Sequence, residues 1–245
     1  MDYKSIQKAL MLKKLAALFF SFLLVACGGG GGGASPSSDV VASSLAFPLR
    51  QININQLENS SSAPFTVSGT INGYSVTGSG NIVDSLLSEA SFEGKSALKQ
   101  TSSIKGTITA NGQTSSLDSS GATYVDYNYI LLGEIDSYYT IYTDYSVPTS
   151  VHVNDAGPLV NGKRYTISIN KTLFDTVEVS YVVEADTATT ALLSIIYTHK
   201  DINGAFTGEQ TINKYRIGAD GTSTRVKSTV SVNTSTSKGN LVFSF

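Results

Sequence analysis

Beyond about residue 60, apolar and polar residues alternate with a period of two, and turn pairs of the Asn-Gly or Asp-Gly type break the alternation. The clearest unit is Phe65-Thr-Val-Ser-Gly-Thr-Ile71, then Asn72-Gly73, then Tyr74-Ser-Val-Thr-Gly-Ser-Gly80. Two strands joined by the strongest two-residue turn signal predict a hairpin. Phe65, Val67 and Ile71 share one face, Thr66, Ser68 and Thr70 the other, and Gly69 marks a bulge. Ser91 to Lys99 and Ser103 to Thr109 read as two further strands, followed by a turn at Asn111-Gly112. The second of these echoes the first hairpin: Gly-Thr-Ile ending in Asn-Gly occurs in both, which hairpin grammar explains as well as an internal repeat does.

The C-terminal third continues as a meander. Strands are expected over Arg164 to Asn170, Thr176 to Ala185, Ala188 to His199, Thr207 to Ile217, Thr224 to Val232 and Leu241 to Phe245. Asn203-Gly204 and Asp220-Gly221 supply turns, and Pro148 to Gly162 reads as a loop with turn signals at Asp155-Ala-Gly-Pro158 and Asn161-Gly162. Val40 to Gln56, with Leu45, Phe47, Leu49, Ile52 and Ile54, reads as an extended segment bent or placed at an edge by Pro48. Asp84 to Ala90 is a helical turn or a loop. Polar Ser115 to Gly121 is a subdomain boundary. The sum is an all-β chain, an antiparallel sandwich or an open barrel or meander, with two packed subdomains as one option. A transmembrane barrel would need a lipid-facing apolar band, and the Ser/Thr alternation opposes it.

The start of the chain differs. Met11-Leu-Lys-Lys14 is positive, Leu15 to Ala26 is apolar, and Leu24-Val25-Ala26-Cys27 runs into Gly28 to Gly33. The 12-residue apolar run is too short for a spanning helix, which needs about 20 residues, and fits an export signal. Met11 is a more natural start than Met1. The glycine run matches G-x-G-x-x-G formally, but no strand precedes it and no helix follows, so it reads as a linker. The expected organisation is a signal over 1–26, Cys27 and a Gly/Ser linker over 27–39, an N-terminal β region over 40–120 and a C-terminal β region over 121–245.

Charge sharpens this picture. Four lysines and one aspartate precede Cys27, so 13 of the 17 basic and 18 of the 19 acidic residues remain after it, a net of −5. That balance argues against nucleic acid as a partner. Cys27 is the only cysteine, so no intramolecular disulfide is available.

Candidate chemistry is sparse. His152 and His199 are the only histidines, each near an aspartate in sequence (Asp155, Asp201), and both read as surface residues beside turns; an envelope hydrolase would have to use one of them. Gly78-Ser-Gly80 lacks the outer residues of a nucleophile elbow, and Gly94-Lys-Ser96 lacks the first glycine of a Walker loop. No cofactor motif and no metal-ligand spacing is found. Seven of the 13 tyrosines fall between Tyr124 and Tyr145. Tyr138, Tyr139, Tyr142 and Tyr145 are candidates for a surface that binds a glycan or an envelope protein, because exposed tyrosine rings stack and anchor at low entropic cost. Against this, tyrosine is simply a favoured strand residue, and tryptophan, the better stacking platform, is absent.

The segment Leu24-Val25-Ala26-Cys27 resembles the bacterial lipoprotein signal, with Leu at −3, a small residue at −1 and Cys at +1. The resemblance implies cleavage before Cys27, diacylation of its sulfur with palmitate-type chains, and a membrane partner engaged through those chains. With Gly28 at +2 in place of Asp, it implies the outer membrane, facing the periplasm or the cell surface. Val67-Ser-Gly-Thr-Ile, Phe92-Glu-Gly-Lys95, Tyr124-Val-Asp126 and Val182-Val-Glu-Ala-Asp-Thr187 are similar to segments of uncharacterised β-rich lipoproteins of Gram-negative bacteria. That likeness implies no activity. The expected function is therefore a lipid-anchored envelope protein with a structural or binding role, not an enzyme.

Overall fold

The computed structural model describes residues 40–167 and 171–245; the signal, Cys27 and the glycine run lie outside them. Among the described residues one helix, α1 (Leu49–Glu58), precedes the strands β1 (Ser61–Ile71), β2 (Tyr74–Asp84), β3 (Ser88–Phe92), β4 (Lys95–Ala110), β5 (Gln113–Val125), β6 (Leu131–Ile135) and β7 (Tyr138–Thr143). They continue as β8 (Ala156–Thr166), β9 (Leu173–Ala185), β10 (Thr190–Lys200), β11 (Phe206–Gly218), β12 (Ser223–Asn233) and β13 (Lys238–Ser244). Every pairing is antiparallel. From β4 to β13 each strand pairs with the next; β13 returns to β1, β1 pairs with β2, and β2 pairs with β4. Twelve strands thus close a barrel, and β3 is an extra strand on the first part of β4.

Closure answers the question of two subdomains. The boundary expected at residue 120 falls inside β5, which pairs along its length with β4 (Ala110↔Gln113 to Leu98↔Val125). Ser115 to Gly121 is strand, with exposed Ser116, Asp118 and Ser120 alternating with buried Leu117 and half-buried Ser119 and Gly121. A polar strand face reads as a loop when only its composition is weighed.

Asn72-Gly73, Asn111-Gly112, Asn203-Gly204 and Asp220-Gly221 all turn where expected. Asn72 and Asn111 take φ near 50°, as the two-residue hairpin turn requires. Asn161-Gly162 does not turn; it lies within β8, opposite Thr143 and Tyr142. Gly69 is no bulge, since its register with β2 and β13 is unbroken. It has φ 150°, and an added Cβ would lie 2.0 Å from the Asn240 carbonyl oxygen.

The expected extended segment over Val40 to Gln56 is overturned by α1. Its buried residues are Leu49, Ile52, Asn53, Gln56 and Leu57, the i, i+3, i+4, i+7, i+8 pattern of one helical face. Period-two reading caught Leu49, Ile52 and Ile54 but required Ile54 to face inward, and it does not. Pro48 is the N-cap, without a side-chain cap bond. Beta-branched Ile52 and Ile54, Arg50 in the first turn and Glu58 in the last, both of the wrong sign for the helix dipole, make α1 a poor helix alone. Burial of Leu49, Ile52 and Leu57, about 1.5–3 kcal/mol each, offsets that.

Helix α1 lies in one mouth of the barrel. Gln56 Nε2 donates to Ser223 Oγ (2.8 Å) and Asn55 Nδ2 to the Gly221 carbonyl (3.1 Å). From β4, Gln100 Nε2 donates to the carbonyls of Leu57 and Ser85, both at 3.2 Å. The chain joins the barrel at this mouth, where Val41 N–H donates to the Asp186 carbonyl. The turns at 72–73, 111–112, 136–137 and 201–205 form the far mouth. Apolar side chains fill the lumen in two clusters, one beneath α1 from β5 to β11, the other from β1, β2, β4, β5, β12 and β13. The outer wall is polar: Thr66, Ser68, Thr77, Thr107 and Ser116 are exposed. It is laced by Lys200–Glu178, Lys214–Glu184 (2.6 Å each) and Arg216–Asp186 (2.7 Å).

Candidate functional site

Inward positions on β8 to β11 turn from apolar to charged towards the far mouth. In β9, Val183, Tyr181, Val179 and Val177 face the lumen, and the next inward residue is Asp175. In β10, Ala191, Leu193, Ile195 and Tyr197 lead in the same way to His199. Arg164 of β8 pairs with Asp175 in the strand register. Its guanidinium grips the Asp175 carboxylate in a bidentate bond, with Nε donating to Oδ1 at 2.6 Å and Nη2 to Oδ2. Glu209 Oε2 stands 3.7 Å from Nη2. Burial alone would lower the Arg164 pKa, but the Asp175 bond holds it above its ordinary value.

An aromatic pair covers this cluster. The register shifts between Arg164 and Tyr165, leaving Phe174 as the extra residue of a bulge. Phe174 stacks on Tyr138 with ring centroids 4.7 Å apart, and the guanidinium carbon lies 4.4 Å from the Tyr138 centroid. A cation held over a ring gains about 0.5–2 kcal/mol, more when water is excluded.

His199 lies beneath. It is fully buried, its Nδ1 is 3.9 Å from Asp175 Oδ2, and neither ring nitrogen has a hydrogen-bond partner. Burial, with Arg164 adding to it, pushes its pKa well below the usual histidine value, so the ring is neutral near pH 7. The expectation of a surface histidine beside Asp201 is therefore wrong: strand alternation carries His199 inward in register with Tyr197. His152 is on the surface, where its backbone N–H donates to Asp155 Oδ2. No hydroxyl donates to a ring nitrogen of His199, and the one side-chain partner seen for His152 is Asp155.

Other buried carboxylates are also engaged. Asp84 accepts from Ser102 and Ser61, with burial raising its pKa against the opposing pull of Arg225. Glu134 accepts from the Tyr142 hydroxyl at 2.9 Å. Asp136, half-buried in the β6–β7 turn, accepts the Tyr138 N–H at 2.7 Å, and burial pushes its pKa up to about 6. Among the described residues no group of histidine, cysteine and carboxylate side chains is set to hold a metal ion. Beside α1 an apolar crevice lined by Leu49, Ile52, Val160, Val179 and Ile195 has room for roughly one water.

The four candidate tyrosines do not share a surface. Alternation along β7 sends Tyr138 and Tyr142 into the barrel and Tyr139 to the outer wall. Tyr142 is buried against Glu134, and burial raises its pKa well above 10. Tyr145, in the following loop, packs towards α1, where its hydroxyl is 3.4 Å from Asn53 Nδ2, and burial pushes it up to about 12. Tyr139 joins a different group. Phe92, at the tip of the β3–β4 hairpin, lies over Gly133 between Tyr139 (centroids 5.2 Å, planes 6° apart) and Tyr124 (4.9 Å). Glu93 accepts from the Tyr139 hydroxyl and from Lys171 Nζ, which sits 3.9 Å from the Tyr139 centroid.

Sequence reading missed Arg164, Asp175, Glu209 and Phe174. A signal existed for Asp175 and His199: each continues the inward register of an apolar strand face. Cys27 lies outside the described residues. No family profile matches the chain, and no curated protein or solved structure shows significant similarity to it.

Proposed function

We propose that this chain is a lipid-anchored protein of the outer membrane whose folded part is a water-exposed β-barrel with a binding or structural role, not an enzyme. The observation that carries the reading is a closed barrel with a filled lumen and a polar outer wall, following a lipoprotein-type signal. An outer wall of Ser, Thr and ion pairs is suited to water and not to lipid tails, and acyl chains on Cys27 would supply the membrane contact that such a wall does not. The buried charges are consistent with a structural role: Asp175 and Arg164 satisfy each other, and His199 is sealed from solvent. Intact-mass measurement of the membrane fraction tests the anchor, with diacylated mature protein expected. An unacylated chain, or membrane retention unaffected by Cys27→Ala, would sink the reading.

A second reading has one observation in its favour. Tyr124 and Tyr139 flank Phe92 on the outer wall, and their partly exposed rings could stack against a sugar face or a protein partner. A glycan array with Tyr124→Ala and Tyr139→Ala variants tests it; absent or unchanged signal removes it.

A further inference from the structure

The far mouth departs from the polar character of the outer wall. Ile167 follows β8, Leu173 and Phe174 open β9, and Ile202 and Phe206 flank the β10–β11 turn; all are between 39% and 66% exposed. The two hairpins are neighbours, because β9 pairs with β10. At about 200 Å² for a fully exposed large side chain, these five present roughly 500 Å² of mostly apolar surface, the size of patch that marks a functional contact. The opposite mouth exposes Val40, Val41, Leu45, Leu86, Tyr127 and Ile130 as well, but spread over three separate segments, across the polar face of α1 and among Asp126, Asp144, Asp155 and Asp220.

We infer that the far mouth is a membrane-docking surface: Ile167, Leu173, Phe174, Ile202 and Phe206 dip into the interfacial layer of the bilayer to which the chain is tethered. The choice of bilayer as occupant rests on the anchoring proposed above and on length. Twelve residues, 28–39, separate Cys27 from the first described residue, Val40. A Gly-rich chain of that length reaches roughly 20 Å on average and roughly 45 Å at full extension. The barrel is roughly 25 Å tall, from 11-residue strands rising about 3.3 Å per residue at a tilt of about 40°. The tether therefore allows the barrel to turn its far mouth to the membrane. It also keeps the bilayer at a higher local concentration than any freely diffusing apolar partner. Docked tips on one side and acyl chains on the other would make two membrane signals, and stable association commonly needs two.

The chain has no tryptophan, so an introduced one is a clean reporter. The mature chain, residues 27–245 with Cys27→Ala, is mixed with vesicles of phosphatidylethanolamine and phosphatidylglycerol at 3:1. With no acyl chains present, the result is independent of whether Cys27 is lipidated in the cell. Phe206→Trp is expected to shift its emission to the blue and to be quenched by brominated lipid, while Tyr127→Trp at the other mouth stays unshifted. Ile202→Asp with Phe206→Asp is expected to lower vesicle partitioning at least tenfold without moving the urea midpoint, since both side chains are already more than half exposed. No partitioning, a blue shift of Tyr127→Trp in place of Phe206→Trp, or partitioning indifferent to the double substitution would each overturn the inference. The first outcome would leave the patch to a protein partner.

Discussion

Asp175→Asn isolates the buried ion pair at the far mouth. The substitution keeps the shape of the side chain and removes its charge, leaving the Arg164 guanidinium with 5% of its side chain exposed and without its bidentate partner. Breaking a buried pair by removing one member costs about 3–5 kcal/mol, because the remaining charge stays desolvated. Glu209, 3.7 Å from Nη2 and 24% exposed, can take up part of the charge, which puts the expected loss near the lower limit, about 3 kcal/mol. In a domain of this size that lowers Tm by roughly 6–12 °C. Equilibrium urea unfolding at pH 7 reads it as a lower midpoint at constant m. The companion variant, Arg164→Met with Asp175→Leu, replaces both charges with apolar groups and is expected to stay within about 2 kcal/mol of the parent chain, since such replacements are often neutral or stabilising. A loss below about 1 kcal/mol for Asp175→Asn, or a double variant as unstable as the single, would refute the view that desolvation of Arg164 dominates here.

Two further predictions concern the same interior and a third the outer wall. Because the folded pKa of His199 is depressed, its contribution is complete above the unfolded value near 6.5 and is lost as pH falls below it, by up to about 1.4 kcal/mol per pH unit; His199→Gln should flatten that part of a stability-against-pH curve taken from urea midpoints. Asp136 acts in the opposite sense: its pKa is raised from 3.8 to about 6, so the folded state loses stability as pH rises between those values, and Asp136→Asn should gain stability at pH 7 with little gain at pH 3.5, as thermal melts at the two pH values would show. Gly133→Ala would place a Cβ 2.1 Å from Phe92 Cζ and 2.4 Å from the Thr140 carbonyl oxygen, so the β3–β4 hairpin should lift from the outer wall, and faster amide exchange at Ser88–Phe92 would reveal it, with the overpacking costing about 1–3 kcal/mol.

Much of the strand framework is local information and was legible as such. Alternation in Val177, Val179, Tyr181 and Val183 assigns a strand and its buried face without knowledge of its neighbours, because side-chain direction in a strand depends on parity alone. The Asn-Gly and Asp-Gly turns at 72–73, 111–112, 203–204 and 220–221 are equally local, resting on residues that tolerate positive φ. The all-β class and the meander of the C-terminal third follow from these, as does the polar outer wall. Asn161-Gly162 shows the limit: the same dipeptide lies inside β8, where pairing with β7 and β9 outweighs its turn preference.

What depended on distance along the chain needed the tertiary structure. Closure brings β13 to β1, more than 160 residues apart (Val67↔Phe243), and no local pattern encodes that pairing. Helix α1 exists because the lumen offers an apolar wall for Leu49, Ile52 and Leu57; its own propensity would not hold it. Tyr138 and Tyr139 look equivalent in sequence, yet parity places one against Arg164 and the other on the outer wall against Phe92. Arg164, Asp175 and His199 form a cluster only because three neighbouring strands end at one mouth in a common inward register. Sequence alone sets the face of a residue within its own strand. Which residues meet across the barrel is set by strand order and register, because those decide which buried faces share one interior.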